Sequence, residues 1–116
     1  MTVGRLTNAL IQCIRTNPSP FMTYADFGRE YGFSHTYPPA WANKNVLDPV
    51  ASALKGDPQI GIDLTFLIRS VTTGYPSVID GQPYVRHDLA QEQRARDIAD
   101  QIIAKFGLRV ENPYRR

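Results

Sequence analysis

The first group of polar side chains suited to recognition chemistry lies in one short stretch, residues 35–45. Imidazole, phenol, amide and ammonium groups surround the predicted start of a third helix there. Asparagine can read adenine through two hydrogen bonds, and lysine can contact guanine or phosphate. The stretch therefore predicts contacts with duplex DNA, and its alternative interpretation is a solvated helix end. Its polar members are His35, Tyr37, Asn43, Lys44 and Asn45.

A second group of polar side chains lies on a predicted β-hairpin. Guanidinium and hydroxyl groups at a hairpin tip suit contacts with phosphates or with the minor groove of DNA. They suit an ordinary exposed turn equally well. The residues concerned are Arg69, Thr72, Thr73 and Arg86.

No set of residues predicts catalysis or metal binding. Cys13 is the only cysteine, and its place on an apolar helix stripe favours a buried small hydrophobe over an exposed nucleophile. The two histidines, His35 and His87, are far apart in sequence, and each lies at a predicted element boundary, which favours turn or capping roles over metal ligation. We therefore expect no enzymatic activity, no cofactor and no metal.

Helices are predicted on either side of the first polar stretch. Apolar residues recur every three or four positions from Thr2 to Thr16, which predicts the first helix. The second is predicted between a Thr23 cap and a Gly32 stop. A third helical region is expected from residue 38 to residue 56. The pair Asp48-Pro49 inside it favours either two short helices or one kinked helix.

The hydrophobic period then changes to that of a strand. In residues 62–69 every second position is apolar, which predicts a strand, and residues 77–79 are predicted as the returning strand of a hairpin. Asp80-Gly81 is a second turn signal. A long amphipathic helix is expected next, between an Asp88 cap and a Gly107 stop.

This order of elements predicts one α+β domain over residues 1–116. The arrangement is that of a winged helix-turn-helix with a β-hairpin as its wing and a long amphipathic helix at the C-terminal end. A chain of this length can bury a core without disulfides or metals. Residues 111–116 are predicted to form a flexible tail.

Three runs of residues carry a family resemblance. They are residues 22–28 (MTYADFG), residues 50–58 (VASALKGDP) and residues 67–70 (LIRS), followed by a glycine turn at Gly74. Together they resemble the winged-helix DNA-binding domain of the alkylguanine-DNA alkyltransferase and alkyltransferase-like family. That family's reactive Pro-Cys-His-Arg motif is missing, because residues 65–68 (TFLI) occupy its place. The resemblance implies the scaffold and, by analogy, DNA binding, but not alkyl transfer.

The charge balance leaves two kinds of partner open. The chain has 13 basic and 11 acidic residues, a net charge of +2, which is low for a nucleic-acid-binding domain. Our leading hypothesis is a non-enzymatic protein that binds double-stranded DNA as a regulator or accessory factor. The alternative is a protein-interaction module, such as an adaptor, an enzyme inhibitor or a homodimer. That alternative would use aromatic side chains predicted to be exposed, namely Tyr31, Tyr37, Trp41, Tyr75 and Tyr84.

The apolar segments are too short for a membrane protein. None approaches the roughly 20 apolar residues that a spanning helix needs. The first residues lack the apolar run of a signal peptide. We therefore expect a cytoplasmic protein without a membrane partner.

Overall fold

A computed structural model of the chain describes residues 2–36 and 39–115. Within these residues four α-helices and two small sheets surround one hydrophobic core, so the protein is α+β. None of the described helices is long and apolar enough to cross a membrane. In chain order the elements are α1 (Thr2–Thr16), β1 (Met22–Thr23), α2 (Tyr24–Tyr31), α3 (Lys44–Gly56), a 3-10 helix (Leu64–Leu67), β2 (Ile68–Arg69), β3 (Val78–Ile79), β4 (Gln82–Pro83) and α4 (Leu89–Phe106).

The first two helices confirm their predictions. Helix α1 has the predicted bounds, and Cys13 is fully buried on its apolar face. Helix α2 begins where the Thr23 hydroxyl accepts a hydrogen bond from the Asp26 amide at 3.3 Å. It ends at Gly32, whose φ of 80° places it in the left-handed region that glycine adopts freely.

Helix α3 starts later than predicted. Asn43 is its cap, and the Asn43 Oδ1 accepts a hydrogen bond from the Asn45 amide at 2.9 Å. The predicted start at residues 38–39 is wrong for Pro39. This residue lies in a turn that a hydrogen bond from the Ala42 amide to the Pro39 carbonyl closes. Residue 38 lies outside the described residues. One helix continues through Pro49, which lacks the amide that would bond the carbonyl of Asn45, an exposed residue of the first turn.

The predicted strand over residues 62–69 is largely wrong. Leu64 to Leu67 form a 3-10 helix, capped by the Asp63 Oδ1, which accepts a hydrogen bond from the Thr65 amide at 2.9 Å. All four of its residues are buried, so the segment has no solvent face that an alternating strand would need. Only Ile68 and Arg69 are extended, and they pair in parallel with Met22 and Thr23. The expected hairpin between residues 62–69 and 77–79 is therefore absent.

A smaller hairpin lies further along the chain. Strands β3 and β4 pair antiparallel around Asp80 and Gly81, as the turn signal indicated. Both turn residues have positive φ, 51° and 79°, which is the geometry of a type I′ turn. Each strand has only two residues, so this hairpin is shorter than the predicted wing.

Helix α4 confirms its prediction, whereas the segment after it does not. Asp88 caps the helix, and Gly107 ends it with a φ of 61°. The predicted flexible tail at 111–116 is wrong for residues 112–115. Tyr114 is fully buried, and its hydroxyl donates a 2.6 Å hydrogen bond to the Phe66 carbonyl. The burial of Tyr114 could not be predicted from the sequence, because a single buried tyrosine produces no periodic pattern.

Aromatic rings hold the long connection between α2 and α3 against the core. The Phe27 ring lies 5.8 Å from Phe33 and 5.9 Å from Trp41, centroid to centroid. The Trp41 indole N–H donates a 2.8 Å hydrogen bond to the Ser34 carbonyl. These contacts fix both ends of the connection, from which α3 begins.

Candidate functional site

Tyr24 links three segments around the start of α3. Its hydroxyl accepts a hydrogen bond from the Ser77 amide at 2.8 Å and lies 2.9 Å from the Ser77 Oγ. The Ser77 hydroxyl donates to the Ala42 carbonyl at 3.1 Å, so the Tyr24 hydroxyl is the donor of the pair. Burial raises the pKa of Tyr24, which keeps that proton in place.

Two of the predicted DNA-contacting residues at the start of α3 have structural bonds. Asn43 uses both ends of its amide, because its Nδ2 donates to the Ala40 carbonyl while its Oδ1 caps the helix. Lys44 Nζ lies 2.6 Å from Asp48 Oδ2 and 2.7 Å from the Gly81 carbonyl, so it joins α3 to the hairpin turn. Asn45 is exposed at the first turn of the helix.

The loop after β2 contains the next predicted residues. The Ser70 amide donates to the Tyr75 carbonyl at 3.0 Å and closes the loop. Thr73 supports it, since its Oγ1 donates to the Tyr75 carbonyl at 3.2 Å. The Thr72 amide donates to the Ser70 Oγ at 3.2 Å, and Thr72 is exposed. Arg69 is half-buried, and its Nη1 is sealed from solvent without a hydrogen-bond partner among the described residues.

The predicted residues thus form separate groups rather than one site. His35 is exposed and lines a small cavity of about 100 Å³ with Ser70 and Val71, beside the first turn of α2. Lys44 and Asn45 lie beside the hairpin turn at the start of α3. Arg86 is exposed between β4 and α4. The remaining predicted residue, Tyr37, lies outside the described residues.

A cleft of about 200 Å³ separates α3 from the β3–β4 turn. Asp63 and Thr65 line it together with residues of α3 and of the hairpin. Asp63 is only 8% exposed, and its Oδ1 accepts hydrogen bonds from the Thr65 amide at 2.9 Å and the Thr65 hydroxyl at 2.5 Å. Loss of water raises the pKa of Asp63. The two hydrogen bonds from Thr65 oppose that rise and, to a smaller extent, so does the positive charge of Lys55.

Sequence reasoning did not single out this cleft. In the sequence, Asp63 is one polar position of a predicted alternating strand. The usable signal is the spacing of Asp63 and Thr65, because an aspartate two residues before a threonine can cap a turn. Even that signal gives no indication that the carboxylate is buried.

Two ion pairs flank the cleft. Lys44 pairs with Asp48, and Arg94 Nε pairs with Asp80 Oδ2 at 2.8 Å. The side chains of both pairs are about half exposed, so each pair contributes at most about 1 kcal/mol to stability. Among the residues that the structure describes, no three histidine, cysteine, aspartate or glutamate side chains come together as a potential metal site.

The aromatic side chains expected at the surface are mostly turned inward. Trp41 and Tyr75 are each only 5% exposed, so the prediction of exposure is wrong for these two. Tyr31 and Tyr84 are partly buried. The Tyr84 hydroxyl donates a 2.5 Å hydrogen bond to Glu92. Burial, and to a smaller extent this hydrogen bond, raise the pKa of Tyr84 to about 12.

Comparison of the chain with protein-family models, with curated proteins and with solved structures found no match.

Proposed function

We propose that the protein binds double-stranded DNA through helix α3, as a non-enzymatic regulator or accessory factor. In this proposal α2 and α3 form the helix-turn-helix of a winged-helix scaffold, and the β3–β4 hairpin is a short wing. The resemblance of residues 22–84 to the alkyltransferase winged-helix domain supports that scaffold. Helix α3 would enter the major groove.

The charge on α1 and α3 is the observation that carries this proposal. The two helices pack against each other, and α1 contains no acidic residue. Asp48 is the only acidic residue of α3, and Lys44 neutralises it. A chain with little net charge therefore concentrates positive charge on one pair of helices, which favours a polyanionic partner. The basic residues of the pair are Arg5, Arg15, Lys44 and Lys55.

The outward side of α3 also has a suitable shape. Its exposed residues outside the cleft include Asn45, Pro49 and Ala53, which are small or polar and uncharged. Small side chains allow a helix to approach base edges closely, and the Asn45 amide can bond adenine bidentately. His35, Thr72 and Arg86 are exposed on three separate loops, from which they would contact phosphates.

Fluorescence anisotropy with a labelled duplex tests the proposal. We expect the affinity to fall as salt rises from about 50 to about 200 mM, because each phosphate contact releases counterions. Asn45→Asp should weaken binding about tenfold or more through charge repulsion. That substitution also places a negative charge in the first turn of α3, which favours the helix, so unfolding would not explain the loss.

Gln101→Glu is the matched control. Gln101 is exposed on α4, outside the proposed interface, and the change adds the same charge. Its effect on affinity should be small. A salt-independent affinity, or an equal loss in the Asn45→Asp and Gln101→Glu variants, would contradict the proposal.

A protein partner is the second candidate function. Val85 and Leu89 favour it, because they are 60% and 74% exposed on either side of the α4 cap. A second copy of the chain is the simplest partner with which to test this. Light scattering across micromolar concentrations should then show a dimer that Leu89→Ser disrupts, and a constant monomer mass would exclude self-association.

A further inference from the structure

The cleft between α3 and the hairpin turn is partly enclosed and partly open to solvent. Three separate segments form it: one side of α3, the turn of the β3–β4 hairpin, and the start of the 3-10 helix. Lys44 fixes the distance between α3 and the turn through its bond to the Gly81 carbonyl. The volume of about 200 Å³ exceeds what a single water molecule needs. The cleft therefore has room for a small organic molecule.

One oxygen of the Asp63 carboxylate lacks a partner in this cleft. Both hydrogen bonds from Thr65 go to Oδ1. Oδ2 accepts none from a described residue, and it is not among the atoms sealed from solvent. Asp63 is more than nine-tenths buried as a residue, and it is one of the residues that line the cleft. A carboxylate so removed from water is stabilised by a hydrogen-bond donor, and best by a charged one.

Lys55 supplies a positive charge to the same cleft. It lines the cavity from the last turn of α3, and it forms no ion pair or hydrogen bond with the described residues. The other carboxylates of the lining, Asp48 and Asp80, are each paired with a cation. What remains is one negative and one positive group, Asp63 and Lys55, more than 4 Å apart.

We propose that this cleft binds a small zwitterion of the amino-acid type, with its ammonium group on Asp63 and its carboxylate on Lys55. Ser52 also lines the cleft, and its hydroxyl would donate to the same carboxylate. A simple anion would meet the Asp63 carboxylate without compensation. A simple cation would leave Lys55 unpaired and would be repelled by it. Only a ligand with both charges matches both groups.

Chemical-shift mapping by NMR tests the proposal with glycine, alanine and serine as probes. We expect these probes to shift the backbone amides of Ser52, Thr65 and Gly81, which surround the cleft. Ethylammonium and acetate at equal concentrations should shift them about tenfold less strongly, because each satisfies only one charge. Magnesium should leave them unchanged.

Two variants separate ligand binding from folding. Asp63→Asn keeps an oxygen that can accept both Thr65 hydrogen bonds, and it removes the charge that the ammonium group needs. Lys55→Gln changes an exposed side chain and should weaken binding about tenfold. The charge-matched controls, Asp97→Asn and Arg109→Gln, lie outside the cleft lining and should bind as the wild type does.

The outcomes decide the proposal directly. Loss of the amide shifts in both cleft variants, with folded spectra and unaffected controls, supports it. Three results would overturn it: no shift with any of the amino acids, equal shifts with ethylammonium or acetate alone, or unchanged binding by the Asp63→Asn variant. Because Asn45 is not part of the cleft lining, the Asn45→Asp variant tests DNA binding independently of this site.

Discussion

The Tyr24 hydroxyl and the Ser77 side chain form a hydrogen bond of 2.9 Å between residues that are 53 positions apart in sequence. The same hydroxyl also accepts a bond from the Ser77 amide. Through Ser77, the first turn of α2 is connected to the Ala42 carbonyl just before α3 begins. The Tyr24 phenol therefore helps to place the start of α3, together with the bond from Lys44 to the Gly81 carbonyl.

Tyr24→Phe should lower the free energy of unfolding by about 1–3 kcal/mol. The substitution keeps the ring and leaves the Ser77 amide without its acceptor. Urea denaturation of the purified variant measures the change. Tyr31→Phe is the control, because the Tyr31 hydroxyl bonds only side chains, Asn17 at 3.3 Å and the Cys13 thiol, and no backbone amide among the described residues depends on it. Equal effects of the two substitutions would show that the Tyr24 bonds add no stability.

Tyr114→Phe should destabilise the protein by about 1–2 kcal/mol. It removes a buried hydroxyl and leaves the Phe66 carbonyl without that donor. Denaturant unfolding gives the magnitude, and hydrogen exchange gives the local consequence. The Tyr114 amide donates to the Asn112 Oδ1 at 2.9 Å and the Arg115 amide to the Asn112 carbonyl at 3.2 Å, so these two amides should exchange slowly in the wild type. Fast exchange at Tyr114 in the wild-type protein would disprove the anchor.

The elements that could be predicted from the sequence are those that local chemistry determines. Thr23 and Asp88 are helix caps, and Gly32 and Gly107 are helix stops, and each interaction involves residues within one or two turns. Such signals act over a few positions, so sequence spacing is enough to place them.

The features that sequence reasoning missed depend on contacts between distant segments. The parallel pairing of Met22 with Ile68 joins residues that no local pattern relates. The sequence pattern of residues 64–67 resembles part of a strand, and only the structure shows that all four residues are buried. At the candidate site, Asn43 has the residue type of a base-reading side chain but acts as a cap, and Asp63 becomes notable only because the fold buries it.

Compared with the wild type, the Asp63→Asn variant should be relatively more stable at neutral pH than at acidic pH. Burial raises the pKa of Asp63 in the folded state, so the folded protein holds this proton more tightly than the unfolded chain does. The resulting stabilisation is present below the unfolded pKa of about 3.9 and is lost as pH rises through the folded value. The difference in unfolding free energy, variant minus wild type, should therefore become more positive with rising pH.

Denaturant melts of both proteins at several pH values measure this difference. NMR titration of the Asp63 carboxyl carbon reports the same quantity directly. A folded-state pKa at or below that of an unstructured aspartate would contradict the prediction, as would a difference that does not change with pH.

Gly28→Ala should destabilise the protein even though alanine is the better helix former. A Cβ at this position would lie 2.8 Å from the Ser34 carbonyl oxygen and 2.9 Å from that of Phe33. Both obstacles are backbone atoms, so the connection to α3 would have to move away from α2. We expect a loss of about 1–3 kcal/mol, which exceeds the helix-propensity gain of about 1 kcal/mol.

Gly4→Ala is the matched control for this clash. Gly4 lies in α1, and a Cβ there would meet no atom within 4 Å other than those of its own stretch of helix. The variant should gain about 0.5–1 kcal/mol, because only the propensity and unfolded-state entropy change. Thermal and urea unfolding of the two variants should therefore shift in opposite directions. A stabilised Gly28→Ala protein would mean that residues 33–35 do not pack on α2 as closely as these contacts require.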